Sequence, residues 1–257
     1  MSQPLLSLRE LIVQSWRSYL AHWNDSLHVS YVVTVPALVG LLLIYGLRGV
    51  ASANTLASMV GVMDVLTSLA LIWVVVRLNQ MYLRQEGGSG VTSEPLPLFS
   101  APLYLSVLWI GLLEGLAVFG GCIFLILPGI WLALSLSFAQ LFLLDDGLRG
   151  VKALAASAAL VKGRWWGTLK RLLGSAIVFS VPISIVFFVL MLVVYAGVGG
   201  DVTSQIMSAQ NGTPIASSGF AVAASVDMFL QSLMQAIALP LLLVAQVKLF
   251  KSLKASR

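Results

Sequence analysis

One carboxyl group stands out, because it sits where a carboxyl group is expensive to keep. Glu114 is the only charged residue between Leu103 and Leu144. It lies about 11 residues, or roughly 16 Å at helical rise, from the polar connector that precedes this stretch. No Lys or Arg shares its depth, so desolvation favours the neutral acid and makes Glu114 a protonatable group. Two readings stand: a proton or cation site, or a carboxyl hydrogen-bonded to a neighbouring helix, with Gly111 and Gly115 at the GxxxG spacing that allows close packing.

Asp227, Gln231 and Gln235 recur at i, i+4 and i+8, one face of a helix. With Asp64 they could line a polar, acidic cavity, or they could turn inward because lipid would reject them. A third constellation, Lys162, Arg164, Trp165, Trp166, Lys170 and Arg171, joins cations to indoles. That combination suits an anionic lipid head group or a phosphorylated ligand, and it is also what any cytoplasmic boundary carries.

Other chemistry is not encoded. His22 and His28 are six apart and off a common helical face, and the single cysteine, Cys122, is remote from both, so no metal site is expected. There is no phosphate-binding glycine loop and no Gly-x-Ser-x-Gly turn. The acidic residues are few and scattered. No catalytic residue, metal or other cofactor is expected, and the chain does not read as an enzyme.

The elements that must position these groups are membrane helices. The chain has 257 residues, 59% hydrophobic and 10% charged, against about 25% charged in a soluble domain. The expectation is an all-α integral membrane protein with six transmembrane helices and cytoplasmic amphipathic interfacial helices. The spans fall at residues 27–47, 57–78, 103–127, 130–144, 172–198 and 226–247. Pro128-Gly129 is read as the tight turn between the third and fourth. Residues 84–102 and 199–225 are polar or small-residue connectors, and residues 145–171 form a cytoplasmic segment. Residues 1–26 form an N-terminal interfacial segment. There Leu5, Leu8, Ile12, Trp16, Tyr19 and Trp23 make one apolar stripe, opposite Glu10, Gln14, Arg17 and Ser18. The first apolar run starts near Leu27, so it reads as an uncleaved signal anchor.

Charge sets the orientation. With the N-terminus inside, fourteen of the 15 Lys and Arg residues fall on cytoplasmic segments, and Arg48 alone lies outside. That asymmetry predicts both termini in the cytoplasm. The net charge of +5 is thereby assigned to anionic lipid head groups, not to nucleic acid. A membrane-protein partner or a homo-oligomer is a further expectation from the glycine spacing.

The pattern S-x7-W-x2-[ST]-L occurs twice, at Ser15, Trp23, Ser26 and Leu27 and at Ser157, Trp165, Thr168 and Leu169. Both copies precede a span in the same direction, which is not an inverted repeat.

Leu127-Pro128-Gly129-Ile130, then Asp145-Asp146-Gly147, then Ala155-Ala156-Ser157 through Leu160-Val161-Lys162-Gly163-Arg164-Trp165-Trp166 resemble the YciC-like bacterial multi-pass membrane proteins. These are related to the membrane domain of some glycerophosphodiester phosphodiesterases. The resemblance is best over residues 120–175, and Ser15-Trp16 with Tyr19 also fits. It implies a six-helix domain in a bacterial cytoplasmic (inner) membrane. It brings no catalytic residue, since the phosphodiesterase is a separate soluble domain. Two function classes follow: a non-enzymatic component that binds lipid or an envelope protein, or a transporter or channel that uses Glu114 and the Asp64, Asp227, Gln231 and Gln235 face.

Overall fold

The fold is that of a computed structural model, which describes residues 6–87, 100–124, 126–198 and 218–256. Leu5 of the N-terminal stripe, residues 88–99 of the first connector and residues 199–217 of the second lie outside them. The described residues form helices and no strand: α1 (Leu8–Ala21), α2 (Trp23–Ser30), a 3-10 turn (Tyr31–Val33), α3 (Thr34–Leu47), α4 (Ala53–Gln85), α5 (Ala101–Phe124), α6 (Ile126–Leu136), α7 (Ala139–Asp146), α8 (Val151–Val161), α9 (Trp165–Val198) and α10 (Ser218–Ala255). Six stretches are long and apolar enough to cross a membrane: Trp23–Leu47, Ala53–Gln85, Ala101–Ile123, Ile126–Asp146, Trp165–Val194 and Ala221–Ala255. The protein is an all-α, multi-pass membrane protein.

Two compact units divide the chain. The first comprises Met1–His22, Val75–Val178 and Leu241–Arg257; the second comprises Trp23–Val74 and Phe179–Pro240. Helices α4, α9 and α10 each contribute residues to both.

The first unit has a dense core. Leu78, Tyr82 and Leu83 at the end of α4 are buried, as are Leu141 and Leu144 on α7 and Leu249, Phe250 and Leu253 on α10. Phe250 stands edge-on to Phe142, ring centroids 5.0 Å apart, and lies 6.1 Å from Phe138. Burying aromatic rings in such pairs adds about 0.5–1.5 kcal/mol beyond area. In the second unit, Ile44, Leu56 and Ala221 form the buried cluster, and Gly40 lets α3 close onto Met63 and Met228. Only 6% of the apolar window of α9 is buried, against 50% for Ile126–Asp146. Side chains such as Ile185, Val186, Phe188 and Val193 are more than half exposed. An apolar surface of that extent belongs against lipid.

Two expectations are corrected. Pro128-Gly129 is not the turn: both residues lie inside α6, which begins before them at Ile126. Pro at the third position of a helix loses no hydrogen bond it needed. Gly129 is required for contact instead, since a Cβ there would run into Cys122, whose backbone nitrogen is 3.0 Å away. Gly111 and Gly115, by contrast, meet nothing within 4 Å. Their spacing therefore packs no described helix of this chain onto α5.

Helix α1 turns one side to the protein. Its buried residues are Leu11, Ser15 and Tyr19, while Trp16 and Trp23 stay 47% and 54% exposed. The indoles of the expected stripe thus stay on the side where an interfacial helix meets lipid. Leu6 and Leu8 hold the start of α1 in place. The Leu6 N–H donates to Ser252 Oγ at 3.2 Å, its carbonyl accepts from Arg171 Nε at 2.6 Å, and Leu8 fills the space over Gly174.

Candidate functional site

The first unit contains a break in a membrane-length helix. Between α6 and α7, Ser137 and Phe138 leave the helical ladder, and their backbone groups must find partners where water is scarce. Ser157 of α8 supplies two. Its hydroxyl donates to the Ser135 carbonyl at 2.7 Å and accepts from the Phe138 N–H at 3.2 Å. Gln246 of α10 supplies the third, its amide Nε2 donating to the Ser137 carbonyl at 2.7 Å.

Beyond the break, α7 ends on Gly147 at φ +69°, a left-handed position that glycine adopts without strain. There Gly147 N–H bonds the Leu143 carbonyl and Leu148 N–H bonds that of Phe142. The acidic pair just before it receives the end of α10. Asp145, whose side chain is fully buried, accepts from Lys251 Nζ at 2.9 Å and Lys254 Nζ at 2.8 Å, and Asp146 accepts from Lys254 at 2.6 Å. Lys248 pairs with Glu86. Three of the C-terminal cations are therefore occupied inside the protein. Their acidic partners lie far away in the sequence, and no local spacing announces them.

The basic-aromatic set lies where α8 gives way to α9. The turn depends on Gly163 at φ +80°. Of the six residues, Arg164 and Arg171 are internal ties. Arg164 donates to the Ser256 carbonyl at 2.8 Å and also to the Ser256 hydroxyl, and Arg171 bonds the Leu6 and Gly167 carbonyls. Lys162, Trp166 and Lys170 are exposed. Trp165 stands edge-on to Trp166 at 4.7 Å, and its Nε1 is buried without a hydrogen-bond partner.

Trp165 also lines a cavity of about 420 Å³. Trp131, Ala158, Ala159 and Val161 make its apolar wall, and Lys162 and Gly163 its other end. Among the described residues Lys162 has no ion pair. The first N–H groups of α9, left free as at any helix start, add partial positive charge at the same end. The arrangement can take an apolar chain along the wall and an acceptor-bearing, negatively charged group at the Lys162 end.

Two of the intramembrane polar residues meet directly. Asp227 and Gln231 come together, with Gln231 Nε2 donating to Asp227 Oδ2 at 2.8 Å. Gln235 makes no such contact, Asp64 is exposed, and Glu114, on α5 in the other unit, is half-buried without a hydrogen-bond or ion-pair partner among the described residues. No group of three or more His, Cys, Asp or Glu residues that could hold a metal occurs among the described residues.

The two copies of the repeated pattern fall in like places. Ser15, Ser26, Ser157 and Thr168 are all fully buried, and Trp23 and Trp165 each open a helix. No family model, no curated protein and no solved structure matches the chain.

Proposed function

We propose that this chain is a non-enzymatic component of a bacterial cytoplasmic membrane that holds an anionic phospholipid at the α8–α9 junction. The observation that carries this reading is an apolar cavity lined by Lys162 and by Trp165, whose indole N–H is buried without a partner. A buried donor without an acceptor costs about 1–3 kcal/mol, and a phosphate or ester oxygen would recover it. Lys162 supplies the charge complementarity, and exposed Trp166 and Lys170 extend it. The YciC-like resemblance over residues 120–175 covers this same junction. The arginine and lysine asymmetry supports both termini in the cytoplasm, which puts the junction beside the anionic leaflet. An envelope-protein partner is the alternative occupant of this exposed surface. Transport through Glu114 has less support, since Glu114 has no hydrogen-bond or ion-pair partner among the described residues.

The test is native mass spectrometry of the purified protein in maltoside micelles, titrated with phosphatidylglycerol and, separately, phosphatidylcholine. Retention of phosphatidylglycerol should exceed that of phosphatidylcholine. Trp165→Phe, which removes only the donor, and Lys162→Gln should each weaken it by about tenfold, the value of one charge-assisted contact. Equal retention of both lipids, unchanged in both variants, would remove the proposal.

A further inference from the structure

The second unit holds a separate groove of about 410 Å³ between α9 and α10. It is made from two matching helical faces. On α9, Phe187, Phe188 and Met191 face it; on α10, Asp227, Gln231 and Met234 do so. The volume lies within the range of small-molecule sites, about 300–1,000 Å³. Asp227 is the only charged side chain in the lining. Its Oδ2 is held by Gln231 Nε2, and among the described residues no Lys, Arg or His pairs with the carboxylate. A carboxylate between two membrane-spanning helices calls for a counter-charge, and this protein does not provide one from its described residues.

We infer that the groove binds a cationic amphiphile, an amine or quaternary ammonium group bearing an apolar tail, with Asp227 as its counter-charge. The chemistry of the walls selects this class. A hard inorganic cation needs six or more oxygen ligands or a retained hydration shell. Here one carboxylate and one side-chain amide face walls made chiefly of carbon and sulfur. Two phenylalanine rings suit an organic cation, whose charge is attracted to an aromatic face within about 6 Å. Met191 and Met234 are flexible and polarisable, so they can mould to a tail of varying shape. Gln231 fixes one carboxylate oxygen and leaves the other to the ligand. This site is independent of the lipid junction, because it uses a ligand of opposite charge and none of the same residues.

The experiment is equilibrium binding of radiolabelled dodecyltrimethylammonium to the full chain in neutral maltoside micelles, with dodecanol as uncharged competitor. Saturable one-to-one binding is expected, not displaced by dodecanol. Asp227→Asn should weaken it by at least about tenfold, or ~1.4 kcal/mol, whereas Glu114→Gln should leave it unchanged. Met191→Trp, which fills the groove without touching the charge, should also abolish binding. It decides the matter if Asp227→Asn does not elute as a folded monodisperse protein. No saturable binding to the wild type, or Met191→Trp binding as the wild type does, overturns the inference. So does equal affinity in a folded Asp227→Asn protein.

Discussion

Ser157 Oγ lies 2.7 Å from the carbonyl oxygen of Ser135, twenty-two residues earlier in the chain, and spans the point where a membrane-length helix breaks. One hydroxyl thus serves an acceptor before the break and a donor, Phe138 N–H, after it. Such a break is tolerated in a membrane only where protein groups replace the missing ladder.

Replacing Ser157 by Ala strands both backbone groups at once. The expected loss is about 1–3 kcal/mol of stability, read as a lower midpoint of thermal unfolding in maltoside micelles. Ser106→Ala is the control, because the Ser106 hydroxyl only bonds the Pro102 carbonyl one turn back on an exposed surface. It should change little.

Removal of the Asp145 carboxylate should be more damaging. Asp145→Ala takes away the buried acceptor of both Lys251 and Lys254, and a hydrogen bond to a charged group is worth about 1.5–3 kcal/mol. Asp146→Ala removes one more exposed contact and should cost no more than about 1 kcal/mol. Urea or thermal unfolding of the two variants side by side would expose a wrong assignment, since equal effects contradict the burial difference.

The glycines of α5 and α6 should separate sharply. Gly129→Ala puts a methyl group into Cys122 and its backbone, and overpacking of this kind costs about 1–3 kcal/mol. Gly115→Ala meets open space and should not lower the melting temperature. If the alanine at 115 instead proves the harmful one, Gly115 faces a second protein, and the oligomeric state of that variant would show it.

The start of α1 carries a pH-sensitive contact outside the membrane spans. Glu10 accepts from the Ser7 backbone N–H at 2.9 Å while Ser7 Oγ accepts from Glu10 N–H at 3.2 Å. These bonds, the Ser7 backbone N–H first and its hydroxyl second, hold the Glu10 carboxyl below its usual value of 4.5. A group depressed in the folded state contributes above its unfolded value and loses that contribution as pH falls through the folded one. Amide exchange in the first turn of α1 should therefore differ between wild type and Glu10→Gln at about pH 6, and the difference should fade as pH drops below the folded-state value. A difference that persists in acid would mean that the cap does not depend on the charge.

Much of the architecture is legible before any coordinate is known. Six apolar stretches give six membrane-length helices, because a bilayer about 30 Å thick imposes a length that local composition must meet. The burial of Ser157 and Thr168 beside Trp165 is foreshadowed by the repeated pattern, and the pairing of Asp227 with Gln231 by their i, i+4 spacing. The packing face of α1 is not legible, since both candidate stripes have helical period and only the neighbouring helix chooses between them. The same holds for Gly129, which looks like a turn residue after proline and acts as a contact residue.

Composition and periodicity determine the class of this protein, the number of its long apolar helices and the depth at which Glu114 is placed. These are properties of single helices in a solvent of known thickness. Tertiary structure decides which cations remain available. Lys251, Lys254, Arg164 and Arg171 look alike in sequence to Lys162 and Lys170, yet the first four are held by Asp145, Asp146, Ser256, Leu6 and Gly167. It also decides that, among the described residues, Trp165 Nε1–H has no acceptor and Asp227 no cationic partner. Such facts depend on groups about a hundred residues apart meeting within 3 Å, and no local pattern encodes that distance.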